Sequence, residues 1–540
     1  MSSSDQAATP FDPGPQDTSA DVSCDVLVIG GGINGAGIAR DLAGRGWSVV
    51  LCEQHDLAQH TSSASTKLIH GGLRYLEYGQ LGLVRKALQE REGLLRSAPH
   101  IMAPLRFVLP HDADMRPAWM IRAGLWLYDH LAHRDFLPGS GQIGLEGHVL
   151  GRSLKPAWRQ AFVYSDGWVD DARLVVLCAQ DARERGASIL TRTRCMQLRP
   201  LAQGWEALLA HHDPHTGRLT HNVAVRAKLV VNAAGPWADQ VQALVTGEPR
   251  ASGGSAPTPV PHLRLVKGSH LIVPRLFEHD HAYLFQGRDR RIVFAIPYEQ
   301  RFTLIGTTDV DHAADPAQAA IDEAEVDYLC EAVSRYFRQP VRPTDVVWAY
   351  AGVRPLMDGE RAGKASAVTR DYRLQRQAGA SPWLTVWGGK ITTFRKLAEQ
   401  AGDMIGELLE DRRAAWTRDA VLPGGRLLDL IEAEVDPVTD IAEFQRRLRQ
   451  RHPWMDLGLV RRWSRQYGAQ ALHLLEGVQQ RSDLGAEVAP DVYEAELFHL
   501  RRQEWAFTGE DVLWRRTKLG LHLDAAQREA VSRWMAAQQG

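Results

Sequence analysis

The feature that most constrains this chain is an apolar run that feeds a glycine turn: Asp25-Val-Leu-Val-Ile-Gly30-Gly-Gly32-Ile-Asn34-Gly35, which reads strand then G-x-G-x-x-G. The three glycines do different jobs. Gly30 permits the tight turn, and Gly32 lets the backbone approach a pyrophosphate. Gly35 lets the following helix pack against the strand, helped by Ala36, Ala39 and Ala43. A pyrophosphate then meets the N–H groups of the helix start, where the macrodipole places about half a positive charge. A second strand, Ser48 to Cys52, ends at Glu53. Its carboxylate can take hydrogen bonds from both ribose hydroxyls and would repel a 2′-phosphate, which argues against NADP. The whole predicts an α/β fold opening on a Rossmann-like βαβ unit that binds a dinucleotide.

At 540 residues the chain has room for two to four domains of about 150 residues each. Its 63 basic and 65 acidic residues give a net charge of −2, so no global basic excess points to nucleic acid. The five cysteines (Cys24, Cys52, Cys178, Cys195, Cys330) form no C-x-x-C pair, and no histidine cluster sits at metal spacing. Reduced, buried thiols and no metal site are expected. Residues 1–23 lack the basic start and apolar run of a secretory signal and are expected to be a disordered tail. No window approaches the ~18 apolar residues of a membrane span.

Residues 24–415 are expected to hold the dinucleotide-binding domain, interleaved with a mostly antiparallel β substrate domain. Leu81 to Arg96 has helical spacing, and Lys228–Asn232, His270–Val273, Arg291–Ile296, Phe302–Gly306 and Val346–Tyr350 read as strands. Thr246 to Pro261 is rich in Gly, Pro and Ser and reads as a loop. After Leu422-Pro423-Gly424-Gly425 the chain turns into charged amphipathic helices, such as Ile441–Arg451, Tyr493–Trp505 and Ala525–Ala537. Residues 416–540 are therefore expected to form an all-helical C-terminal domain.

Two further glycine turns favour FAD over NAD. Asn232-Ala-Ala-Gly235-Pro-Trp237 brings a strand end back beside the cofactor, and Gly388-Gly389-Lys390-Ile-Thr392-Thr393 places a glycine pair at a helix start. A helix N-terminus there would stabilise the negative charge of a reduced flavin. Thr61 to Tyr75, TSSASTKLIHGGLRY, is a loop of small donors suited to wrapping the flavin ring, and it carries His70 and Arg74. A neutral imidazole at His70 would suit removal of an alcohol proton, a purely structural histidine being the equal alternative. Arg354, Arg370 and Lys390 together would suit a phosphate; each alone reads as a surface ion pair.

As a set, IGGGINGAGIARDLAGRG, TSSASTKLIHGGLRYLE, SDGWVDDARL, NAAGPW, KGSHLIVP, IGTTDVD, GVRPL, TRDY, GGKITTFRKLAE and VLPGG closely resemble the bacterial FAD-dependent (aerobic) glycerol-3-phosphate dehydrogenases, from about Cys24 to the C-terminus. The resemblance implies a D-amino-acid-oxidase-like flavoprotein, cytoplasmic and peripheral on the inner face of the cell membrane. Such a protein oxidises sn-glycerol 3-phosphate to dihydroxyacetone phosphate and passes electrons to ubiquinone or menaquinone; the sequence leaves the oligomeric state open, a homodimer being one option. Carried over by motif, the FAD contacts are Gly30, Gly32, Asn34, Gly35, Glu53, Ser62, Ser63, Gly235, Gly352, Gly389, Lys390 and Thr392. The substrate pocket takes Arg74, Tyr75, Arg354, Arg370 and Lys390, with His70 preferred to His270 as base. No long insertion of the glycerol phosphate oxidase kind and no D-x-[DN]-x-[DN]-G calcium loop is present, which favours quinone over oxygen and argues against calcium control. Met115 to Arg134 mixes Trp119, Ile121, Leu125, Trp126 and Leu131 with three arginines, a composition suited equally to a lipid interface and to a core helix with a wet edge. The rival readings are an amino-acid or amine oxidase, a peroxide-forming glycerol phosphate oxidase, and a flavin-binding scaffold without turnover.

Overall fold

The computed structural model describes residues 22–112, 115–245, 263–287, 289, 291–357 and 371–538, with the side chains of 74, 77 and 78 left aside. The expected tail, the 246–261 loop and Arg370 lie outside the described residues.

Two sheets share this part of the chain in turns. The first has eight strands, and its parallel core runs Trp383–Trp387, Leu219–Asn232, Val22–Ile29, Val49–Cys52, Ser188–Leu190 in spatial order. The second has ten strands, antiparallel in every pairing but one, and includes Leu263–Pro274 beside Trp348–Met357. Residues 22–52, 188–232 and 373–387 build the first sheet; 68–169 and 263–357 build the second. The interleaved arrangement read from the sequence is therefore observed.

The fingerprint helix Ile33–Gly44 lies against helices Asp171–Glu184 and Phe394–Leu408. Its small residues make that approach possible: a Cβ at Gly37 would stand 2.7 Å from the Phe394 ring. The strand expected at Val346–Tyr350 begins at Trp348 and continues through Arg354 to Met357. Pro343 opens a tight turn just before it, and Pro355 is tolerated because, among the described residues, this is an edge strand paired with Leu263–Pro274 alone.

The C-terminal part has its own apolar core around Phe444, Trp463, Leu497, Val531 and Met535. Helices Pro437–Arg451, Leu457–Tyr467, Glu494–Glu504 and Ala525–Ala537 bury their apolar faces there. It is not all-helical, since Glu487–Ala489 and Val492–Tyr493 form a two-stranded ribbon turned at Asp491, which takes a φ of +59°. All five cysteines are buried and unpaired, as expected. Among the described residues no helix is long and apolar enough to cross a membrane.

Candidate active site

The cofactor half is built around backbone that tolerates no side chains. Gly30 has a φ of +113°, and a Cβ on it would lie 2.6 Å from the Ala233 carbonyl; one on Gly35 would lie 1.9 Å from the Gly30 carbonyl. Helix Ile33–Gly44 starts at Gly32 without a side-chain cap of its own. Ser62 serves instead, its Oγ accepting the Ile33 N–H at 3.0 Å. Glu53 closes the other side, its carboxylate accepting the N–H of Gly31 at 2.7 Å and of His55 at 2.8 Å. Burial raises the Glu53 carboxyl above its ordinary range, against the lowering effect of those two bonds.

A cavity follows this surface, lined by Gly30, Gly32, Asn34, Glu53, Gly235 and Trp237 among others. Gly235, at φ +56°, turns the NAAGPW segment along its wall. Asn34 donates to the Gly388 carbonyl at 3.1 Å, while its buried Oδ1 has no partner. The residues present fit a dinucleotide: a helix start could take its anion, the Glu53 carboxylate its ribose hydroxyls, and the unpartnered Asn34 Oδ1 a donor.

A second cavity of about 310 Å³ shares Ile33, Thr61, Ser62, Pro355, Gly388 and Gly389 with the first and opens between the sheets. His70, Tyr75, Gly352, Arg354, Gly389, Lys390 and Thr392 all line it. Arg354 is held in a fixed pose. Its Nη1 donates to Asp309 at 2.7 Å and to the Thr308 carbonyl at 3.2 Å, and its Nη2 donates to Thr307 Oγ1 at 2.9 Å. Lys390 stands at the start of the turn Ile391–Thr393, with its ammonium 3.8 Å from the Tyr75 ring centre. The backbone of His70 donates to Thr392 Oγ1 at 3.2 Å, and the next N–H, of Gly71, donates to the Tyr128 hydroxyl at 2.9 Å.

The two candidate bases differ in access. His270 is fully buried, stacked on Tyr350, and bonded through Nε2 to Thr66 Oγ1 at 3.0 Å. Burial first, then the charges of Arg354 and Lys67, lowers its pKa far below 6.5, so it is neutral. It stands behind Thr66, which lines the cavity, while His70 lines the cavity itself. Ser63 turns away, its Oγ donating to the His60 carbonyl at 3.3 Å. Arg74 lies in the turn Leu73–Tyr78 beside the cavity, its side chain outside the described part.

Several residues here were not singled out from sequence: Thr66, Thr307 and Asp309 on the wall, and Gly268 behind Arg354. A Cβ at Gly268 would stand 2.3 Å from Arg354 Nη2. The signal was present, because Gly268 lies in KGSH and Thr307 to Asp309 lie in IGTTDVD.

Fold and cavity define a flavin-dependent oxidoreductase. Residues 25–395 match the family described as "FAD dependent oxidoreductase", and 415–539 match the "C-terminal domain of alpha-glycerophosphate oxidase". The chain is 49% identical to a glycerol-3-phosphate dehydrogenase of Pseudomonas aeruginosa, covering 95% of each. It is 45% identical to the aerobic glycerol-3-phosphate dehydrogenase of Escherichia coli, covering 95% of this chain and 97% of that one. Identity is 47% to a D-erythritol 1-phosphate dehydrogenase of Brucella abortus, with the same two coverages. The solved glycerol-3-phosphate dehydrogenase of Bacillus halodurans complexed with FAD superposes with a TM-score of 0.72 at 26% identity, covering 96% of this chain and 90% of that one. The chain belongs to the family of bacterial FAD-dependent glycerol-3-phosphate dehydrogenases.

Proposed function

We propose that this enzyme oxidises sn-glycerol 3-phosphate to dihydroxyacetone phosphate and delivers the electrons to a membrane quinone. The observation that carries the reading is the pair of adjoining cavities, sharing Ser62 and Gly389, one along the nucleotide fingerprint and the other lined by Arg354 and Lys390, two cations suited to a phosphate monoester. When bound, FAD supplies the hydride acceptor. Arg354, oriented by Asp309 and Thr307, presents a preset guanidinium to the phosphate. Lys390 adds a point charge, and the turn it starts leads into helix Phe394–Leu408 with its positive end towards the cavity. His70 takes the hydroxyl proton as the hydride leaves C2. His270 stays neutral and holds Thr66 in place.

Peripheral attachment to the inner face of the cell membrane belongs to the same reading. Helix Ala118–His130 exposes Trp119, Met120 and Trp126, flanked by Arg116 and Arg122. Such a face suits a lipid interface.

Anaerobic mixing of the holoenzyme with glycerol 3-phosphate should bleach the flavin absorbance, and a soluble quinone should restore it faster than air. A flavin that stays coloured removes the substrate; recolouring by air alone, with peroxide formed, makes the protein an oxidase. The Brucella abortus relative makes D-erythritol 1-phosphate the second reading. A higher kcat/KM for that substrate in the same assay would move the assignment one carbon along.

A further inference from the structure

We propose that the C-terminal domain is part of the FAD site, its segment 511–518 clamping both ends of the loop that wraps the cofactor. This is the stretch from Glu53 to Lys67, which overlaps the start of Thr61–Tyr75 and lines the cofactor cavity with Glu53, His60, Thr61 and Ser62. Near its start Asp56, fully buried, accepts hydrogen bonds from Arg515 Nε at 2.6 Å and from Arg516 Nη1 and Nη2 at 2.7 and 2.8 Å. Asp511 extends the cluster to Arg192, whose Nη2 donates to it at 2.6 Å and whose own N–H holds the His55 carbonyl at 2.8 Å. At the far end Lys518 donates to Asp170 at 3.1 Å. The neighbouring Asp171 accepts from Lys67 at 2.7 Å and from Ser65 at 2.7 Å, and Lys67 also holds the Ser63 carbonyl at 3.1 Å. Ser62 stands between the two grips, and Glu53 lies three residues before Asp56.

The backbone is shaped for this. Consecutive residues of an α-helix point about 100° apart, yet Arg515 and Arg516 both reach Asp56. Residues Asp511–Arg516 form a π-helix, a wider turn often found at functional sites. Trp514, from the same turn, stacks on Trp348 at 4.2 Å, the first residue of the strand that carries Arg354. Burial alone would raise the Asp56 carboxyl; Arg516 and Arg515 outweigh it and hold the group below its ordinary range, so it is ionised. The domain is docked elsewhere by Arg173 on Glu504 and Arg183 on Gln503. The clamp meets that docking at Glu504, whose carbonyl accepts from Arg516 at 2.6 and 3.0 Å, and reaches beyond it to the loop. Buried ion pairs add little net stability over apolar packing, whereas their geometry is specific, which fits a positioning role.

The proposal rests on the reading of Glu53 and Ser62 as FAD contacts. The test uses the full chain and measures FAD affinity by flavin fluorescence. The paired variant Asp56→Asn/Arg515→Gln removes one charge of each sign. It should weaken FAD binding about tenfold or more while leaving KM for glycerol 3-phosphate at saturating FAD within about twofold. The control pair Arg462→Gln/Glu496→Gln breaks a buried ion pair inside the C-terminal core. It should lower Tm without moving FAD affinity. Unchanged FAD affinity in the first pair overturns the clamp, as does equal weakening in both pairs. If the first pair does not fold, Arg515→Lys decides by the same measurement. Glu53→Gln is run alongside: full FAD affinity there discards the loop's cofactor role itself, a failure separate from that of the clamp.

Discussion

Gly268→Ala should cripple substrate binding without harming the fold. Gly268 lies opposite Gly352 in the pairing of Leu263–Pro274 with Trp348–Met357, so Arg354 sits two places along the partner strand. A methyl group at 268 would stand 2.3, 2.6 and 2.7 Å from Arg354 Nη2, Cζ and Nη1. Ordinary contact begins near 3.5 Å, so one of the two must yield by about 1.2 Å. The strands are tied together by their ladder, while the guanidinium is the far end of a flexible chain, so it is the guanidinium that moves. Its bonds to Asp309 and Thr307 are then lost, and with them the preset pose. A displacement of about 1 Å in a positioning group costs on the order of 10²-fold in kcat/KM. We expect a loss of that size, carried mainly by KM. FAD content should be unchanged and Tm should stay within about 2 °C, since little packing is lost. Steady-state kinetics with a quinone acceptor, flavin absorbance per chain and a thermal melt read all three. Parent kinetics in a well-folded G268A protein would refute the reasoning, because Arg354 would then not need its position.

Arg354→Ala should raise KM for the phosphate substrate by about 10- to 10²-fold with FAD still bound, and an unchanged KM would end its phosphate role. His70→Asn should cut kcat by about 10²–10⁴-fold; near-normal turnover would hand the proton to His270 or to water. Glu504 gives a pH prediction. Burial would raise its carboxyl, but Arg173 and His499 override this and bring it from the ordinary 4.5 to about 2. A folded value below the unfolded one means stabilisation that is present above about pH 4.5 and lost as pH falls towards 2. Urea midpoints across that window should fall less steeply in Glu504→Gln than in the parent, though its absolute stability is lower; parallel slopes would count against the assignment. Replacing Trp119 and Trp126 together by Ser should reduce sedimentation with anionic vesicles, with turnover on a soluble quinone kept. Undiminished sedimentation would place the membrane contact elsewhere.

The parts legible in the sequence are those where chemistry leaves few choices. A pyrophosphate needs close backbone and a helix start, so Gly30, Gly32 and Gly35 announce both the fold and the ligand. Strand ends were harder to read. The Arg354 strand looked shorter than it is because Gly352 and Pro355 punctuate it, and only its edge position explains why Pro355 is harmless. The ribbon at Glu487–Tyr493 was missed because two and three residues of strand carry no period of their own.

What stayed hidden depends on register and on contacts between distant segments. Thr66 and His270 are 204 residues apart, and nothing local says that one screens the other from the cavity. Gly268 reads as an ordinary strand glycine until the pairing places it under the Arg354 guanidinium. Arg515-Arg516 is the extreme case, because in a charged helical stretch the pair reads as a solvated face. Only the π-turn and a partner 460 residues away turn it inward onto Asp56. A charge in a sequence carries no mark of whether water or a carboxylate will meet it. The cations proposed for the substrate and those proposed for the cofactor loop differ in burial: Arg516 is sealed in, while Arg354 keeps an opening to the cavity.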